Sequence, residues 1–184
     1  MSGVPESVLV VGSGLIGASI GLGLRRRGTR VWLQDADPAA VEVARSRGAG
    51  EIAPPEGDPE VVIVAVPPAS AASVISTLLD TYLTSTVSDV ASTKAHLLRD
   101  VESSGSDITR FVPGHPLAGR EVSGAGAARA DLFADRVWAL TPSAATDPAR
   151  TAQVAAMATS LGVLVVWMTC EAHDRAVALT SHIL

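Results

Sequence analysis

Cysteine is almost absent from this chain, Cys170 being the only one. An internal disulfide and any cysteine-based zinc cluster are thereby excluded. Lysine is as scarce, with Lys94 alone beside 13 arginines, so an arginine in place of a lysine carries little meaning here. Long apolar runs are missing as well. Runs such as residues 8–11, 61–66 and 163–168 fall far short of the roughly 18–20 residues that a membrane span needs. The N-terminus has no basic segment, and the first apolar run breaks at once into glycines, so no signal peptide is expected. Positive charge is not in excess either. A formal charge of −5 and a pI near 5.3 argue against nucleic acid as the main partner. The one basic run, Arg25-Arg26-Arg27 before Gly28, reads as a helix C-terminus, where the dipole favours cations and glycine favours the cap. These absences together predict a cytoplasmic protein in a reducing compartment, with no membrane partner and no metal.

What is present is a globular composition. Hydrophobic residues make up 47% and charged residues 18% of 184, enough for one domain with a substantial core. Apolar runs and helical patterns alternate. Residues 8–11, 30–34, 61–66, 86–90, 111–113, 137–141 and 163–167 read as strands. Residues 15–27, 38–47, 69–79, 93–102, 148–161 and 171–184 read as helices. Pro38 and Pro148 suit first helical positions, Asp147 a cap and Gly162 a stop. Continuous apolar strands between helices mark a parallel sheet covered on both faces. The predicted class is α/β, a Rossmann-type doubly wound and mostly parallel sheet over residues 1–168. The last helix stays apolar to Leu184 without a stop signal, which predicts a chain cut inside an element.

Gly12-Ser13-Gly14-Leu15-Ile16-Gly17 follows the first strand and opens the first helix. In that place the glycines permit a tight turn, close approach of a pyrophosphate and close helix–sheet packing. The free amides at the positive helix end receive the phosphates. Asp35 ends the second strand, 18 residues beyond Gly17, where a carboxylate accepts both ribose hydroxyls of a dinucleotide and repels a 2′-phosphate. Ala36 offers no cation for that phosphate. NAD is therefore the expected cofactor, held by Gly12, Ser13, Gly14, Leu15, Ile16, Gly17 and Asp35, with Val66 and Pro67 at the end of the third strand. Asp37, before Pro38, reads as a helix start.

Two further segments hold more polar and glycine residues than packing requires. One is Asp89-Val90-Ala91-Ser92-Thr93-Lys94. The other is Gly114-His115-Pro116-Leu117-Ala118-Gly119-Arg120-Glu121-Val122-Ser123-Gly124. Both should border the ligand crevice, which in open α/β sheets lies outside the carboxyl ends of the strands. Ser92 could be a helix N-cap, and His115 either a loop histidine satisfied by backbone or a catalytic one.

With these pieces, and with Leu132-Phe133, Trp138, His173-Asp174 and Ser181-His182 in order, the sequence resembles the prephenate/arogenate dehydrogenase family of tyrosine biosynthesis. The resemblance implies an NAD-dependent oxidative decarboxylation of prephenate or arogenate. His115 matches the catalytic histidine that takes a proton from the ring hydroxyl, and Ser92 the serine that orients it. Glu121, Lys94, Ser181 and His182 match substrate-side positions. His173 and His182 lie nine residues apart, about half a turn out of phase, so only one can face a given site; the family pattern selects His182. The resemblance also implies that residues 169–184 begin a truncated C-terminal helical domain that pairs two subunits as a homodimer. The sequence also admits two other readings: a 3-hydroxyacid-type dehydrogenase, which gives the Gly-His-Pro segment no role, and a non-catalytic NAD-binding module.

Overall fold

Four strands with hardly a polar residue facing water set the architecture: β1 (Ser7–Val11), β2 (Arg30–Gln34), β3 (Val61–Val64) and β4 (Thr86–Asp89). In the computed structural model, which describes residues 3–118 and 123–181, they join the short β5 (Phe111–Val112) in one parallel sheet. Its order is β2-β1-β3-β4-β5. Side chains alternate between faces with a period of two. Val8 and Val10 of β1 enter one apolar cluster, and Leu9 and Val11 enter the other. Both faces are thus covered, which is why β1 and β3 are almost continuously apolar.

Helices α1 (Leu15–Arg25) and α2 (Pro38–Ser46) follow β1 and β2. Helices α3 (Pro68–Thr81) and α4 (Ala95–Ser103) follow β3 and β4. Asp37 accepts a hydrogen bond from the Ala39 amide and Pro38 stands at the first turn, so Asp37 starts α2 as expected. Asp147 does the same for α5 (Pro148–Ser160) through Ala149. From β1 the chain crosses to β2 on one side and then to β3 on the other. The crossover direction reverses between β1 and β3, and a crevice opens at their carboxyl ends.

The second half departs from a single sheet. Gly114–Leu117, expected to be loop, forms strand β6. It pairs antiparallel with β7 (Val137–Leu140), His115 facing Ala139 and Pro116 facing Trp138. β7 pairs parallel with β8 (Leu164–Trp167) in a three-stranded sheet of order β6-β7-β8. Glycine and proline have low strand propensity, and proline fits a sheet only at its edge. β6 is such an edge, and its pairing comes from β7, not from its own sequence.

Helix α6 (Cys170–Ser181) ends the described chain. It buries Cys170 and His173 and leaves Leu179 exposed, while β8 exposes Leu164 and Trp167. No helix among the described residues is long and apolar enough to cross a membrane.

Candidate active site

The glycine loop closes the crevice from below. Gly12 has φ +100°, a conformation open to glycine, and a Cβ there would lie 2.2 Å from the Ala65 carbonyl oxygen. A Cβ on Gly17 would lie 1.9 Å from the Gly12 oxygen. These two glycines let α1 start against the ends of β1 and β3. Gly14 differs. It is exposed, its backbone is extended, and a Cβ there would meet nothing within 4 Å. Its empty side faces a cavity of about 1000 Å³, lined also by Leu15, Ile16, Gly17, Val66 and Pro67. Helix α1 has neither a side-chain cap nor an acidic residue in its first turn. Its leading amides and the positive end of its dipole therefore remain available to an anion.

Asp35 lines the same cavity. Its two oxygens accept the Ser13 amide at 2.6 Å and the Asp37 amide at 2.8 Å, which fixes the direction of the carboxylate. An ionised carboxylate has about four acceptor positions, so capacity for a diol remains. The cradle left open by Gly14 and this oriented acid suit the pyrophosphate and ribose of a dinucleotide. Ser13 needs correction. Its amide is engaged by Asp35 and its hydroxyl is fully buried without a partner among the described residues. Ser13 orients Asp35 and is not itself a cavity contact, because a residue between two cavity-facing glycines points back into the core.

The second group of polar residues gathers at the carboxyl end of β4. Ala91 and Ser92 line the cavity. Asp89, fully buried, accepts hydrogen bonds from the Ala91 amide at 2.9 Å, the Gly114 amide at 3.1 Å, and the Lys94 ammonium. Lys94, read from the sequence as a substrate contact, is corrected by this geometry. Its side chain has no exposed surface and is paired with Asp89. Burial pulls its pKa down and the Asp89 carboxylate opposes that shift. A lone buried ammonium would be costly, so Lys94 needs the pair, and Asp89 ties β4 to the start of β6 through the Gly114 amide.

His115 stands on β6 next to Gly114 and is 7% exposed. Its Nδ1 lies 2.9 Å from Nε2 of His173, which is 2% exposed. The two rings meet edge to face, 5.1 Å between centroids. Nδ1 of His173 lies 2.8 Å from Oδ1 of Asp174. Asp174 also caps α4, its Oδ1 accepting the Lys94 amide and its Oδ2 the Ala95 amide, each at 2.9 Å. Ser92 therefore is not the cap of α4; the cap comes from α6. Burial raises the Asp174 pKa, but bonds from the Ala95 amide, the His173 ring and the Lys94 amide outweigh it and hold the acid below its ordinary value.

Helical phase allows one histidine of α6 at a given point, and the family pattern selects His182. Among the described residues His173 is the one beside His115. Glu121 and His182 lie outside the described residues, as does the side chain of Ser181. Asp174 was missed as a functional residue. The available signal was an adjacent His-Asp pair near the start of a helix, which says nothing of a partner 80 residues away until the fold is known.

Comparison with known proteins agrees with this geometry. Residues 20–167 match the family model described as prephenate dehydrogenase, nucleotide-binding domain. The probable prephenate dehydrogenase NovF of Streptomyces niveus is 39% identical over 174 residues, covering 95% of this chain and 48% of that protein. Arogenate dehydrogenase of Synechocystis has a TM-score of 0.86 at 31% identity, over 96% of this chain and 64% of that one. Prephenate dehydrogenase from A. aeolicus, in complex with hydroxyphenyl propionate and NAD+, has a TM-score of 0.87 at 29% identity, over 97% and 65%. The chain spans about half the length of the curated relatives it matches. With a parallel sheet, an open glycine cradle and a family match over most of its length, the chain belongs to the prephenate dehydrogenase family, as its nucleotide-binding domain.

Proposed function

We propose that this protein carries the cofactor half of an NAD-dependent dehydrogenase that oxidatively decarboxylates prephenate or arogenate, giving 4-hydroxyphenylpyruvate or tyrosine. One observation carries the reading. The carboxyl end of β4 serves both sides of the site, since Ala91 and Ser92 line the cavity while Asp89 holds the amide beside His115. NAD, when bound, supplies the two-electron acceptor. Gly12, Gly14, Leu15, Ile16 and Gly17 present backbone to its phosphates, Asp35 takes the ribose hydroxyls, and Val66 and Pro67 form the opposite wall. His115 takes the proton of the ring 4-hydroxyl as that carbon becomes a carbonyl. The ring carboxylate leaves as carbon dioxide and the ring becomes aromatic. Ser92 orients the hydroxyl or His115. Aromatisation supplies much of the driving force, so the protein mainly positions the reacting groups. Glu121, Ser181 and His182 complete the substrate side in this reading. We also assign residues 169–184 to the start of a helical, dimer-forming unit, in keeping with the exposed Leu164, Trp167 and Leu179.

The test is a steady-state assay with prephenate and with arogenate, each with NAD, following NADH absorbance and carbon dioxide release. Substrate-dependent formation of both products in equal amounts is expected. NAD binding without turnover of either substrate would leave a nucleotide-binding module and remove the catalytic assignment.

A further inference from the structure

We propose that His173 and Asp174 are positioning residues that decide which nitrogen of His115 is basic. The far end of the line is Asp174. Both oxygens of Asp174 receive main-chain amides, from Lys94 and Ala95. An amide can only donate, so both oxygens act as acceptors, and the N-terminus of α4 favours the negative charge. Nδ1 of His173, 2.8 Å from Oδ1, must then carry a proton. A neutral imidazole has one donor and one acceptor. Nε2 of His173 is therefore the acceptor, and it faces Nδ1 of His115 at 2.9 Å. Nδ1 of His115 is the donor, which makes Nε2 its basic nitrogen.

Burial is what gives the line its authority. His115 and His173 are 7% and 2% exposed, so water competes little for the bonds between them. When Nε2 of His115 takes a proton, the new positive charge meets the lone pair of His173 and, beyond it, the Asp174 carboxylate. The same line keeps the ring from turning, because rotation would break the bond to His173. The three residues come from β6 and α6, and their anchor is the first turn of α4. The inference rests on the proposed dehydrogenase for its kinetic consequence only; the proton positions follow from the hydrogen bonds.

Nuclear magnetic resonance of the whole chain, with nitrogen-labelled histidines, reads the tautomer directly. His115→Asn identifies the His115 signals. We expect Nδ1 of both His115 and His173 to be protonated. Asp174→Asn should mix the two tautomers in both rings, since an amide oxygen at the Oδ1 position keeps the bonds from Lys94 and His173 while an amide nitrogen there donates to His173 and drives its proton to Nε2. His173→Phe, which keeps a flat aromatic ring but removes the acceptor, should leave the His115 tautomer unfixed, and it serves if the Asp174 variant misfolds. In steady-state kinetics with prephenate, both variants should lower kcat by about 10²-fold, in the range found when orienting partners are lost. KM and the Kd for NAD should stay within about twofold, a split that general unfolding would not give. A His115 protonated on Nε2 in the unmodified chain would overturn the inference. So would a wild-type tautomer together with wild-type kcat in either variant. The expected tautomers in a chain that turns over neither substrate would support the hydrogen-bonded line and overturn the proposed function instead.

Discussion

Around the glycine loop the groups that face the cavity are mainly backbone, while around His115 they are side chains. The loop comes from six consecutive residues and one strand end. The His115 line comes from three segments, residues 89–95, 114–115 and 173–174. Backbone placed by a turn needs little support beyond the turn itself. Side chains placed by three elements need each element held, and here Asp89 and Asp174 do the holding through main-chain amides. The loop side should therefore lose affinity when disturbed, and the histidine side should lose rate.

The largest effect is expected from His115→Asn, which should lower turnover by about 10²–10⁴-fold, the usual loss with a general base. Calorimetry should show NAD affinity unchanged. A parallel fall in NAD affinity would show that the two sides are not separable.

Next comes Lys94→Met, which leaves the Asp89 carboxylate buried without its cation. Breaking such a pair costs about 3–5 kcal/mol, which urea unfolding of the chain would read. Unchanged stability with a raised KM for prephenate would restore Lys94 as a substrate contact.

Cofactor choice tests the loop side. The double change Asp35→Ser with Ala36→Arg should improve the NADP:NAD affinity ratio by at least about tenfold, or 1.4 kcal/mol. If the unmodified chain already preferred NADP, the role given to Asp35 would be wrong.

The smallest effect on the fold is expected from Gly14→Val. The backbone is extended and a Cβ there meets nothing, so stability should stay within about 0.5 kcal/mol, as at other free surface positions. NAD binding should still weaken, because the side chain enters the open cradle. Equal NAD affinity in this variant would place the phosphates elsewhere.

Much of the first half was legible because its signals are local. The apolar runs of β1 and β3, the proline starts of α2 and α5, and Asp37 and Asp147 as caps each depend on residues a few positions apart. The position of Asp35 follows from β2 ending where its apolar pattern ends. The sequence also placed Ser92 just past the carboxyl end of β4. Its errors lie where partners are distant. Gly114–Leu117 looks like loop until β7 supplies the pairing. Lys94 looks like a free cation until burial pairs it with Asp89. His173 looks like an ordinary helix residue until α6 docks and brings it against His115.

By itself, then, the sequence determined the strands of the parallel sheet, the glycine turn after β1 and the place of the acid after β2, since turn geometry, period-two burial and capping act over a few residues. Only the tertiary structure decided that Asp174 caps a helix from another part of the chain, that Lys94 is locked away, and that His115 leans on His173. Those relations depend on the docking of α6 against α4 and β6, and burial there turns ordinary polar side chains into an ordered line by excluding the water that would otherwise compete for them.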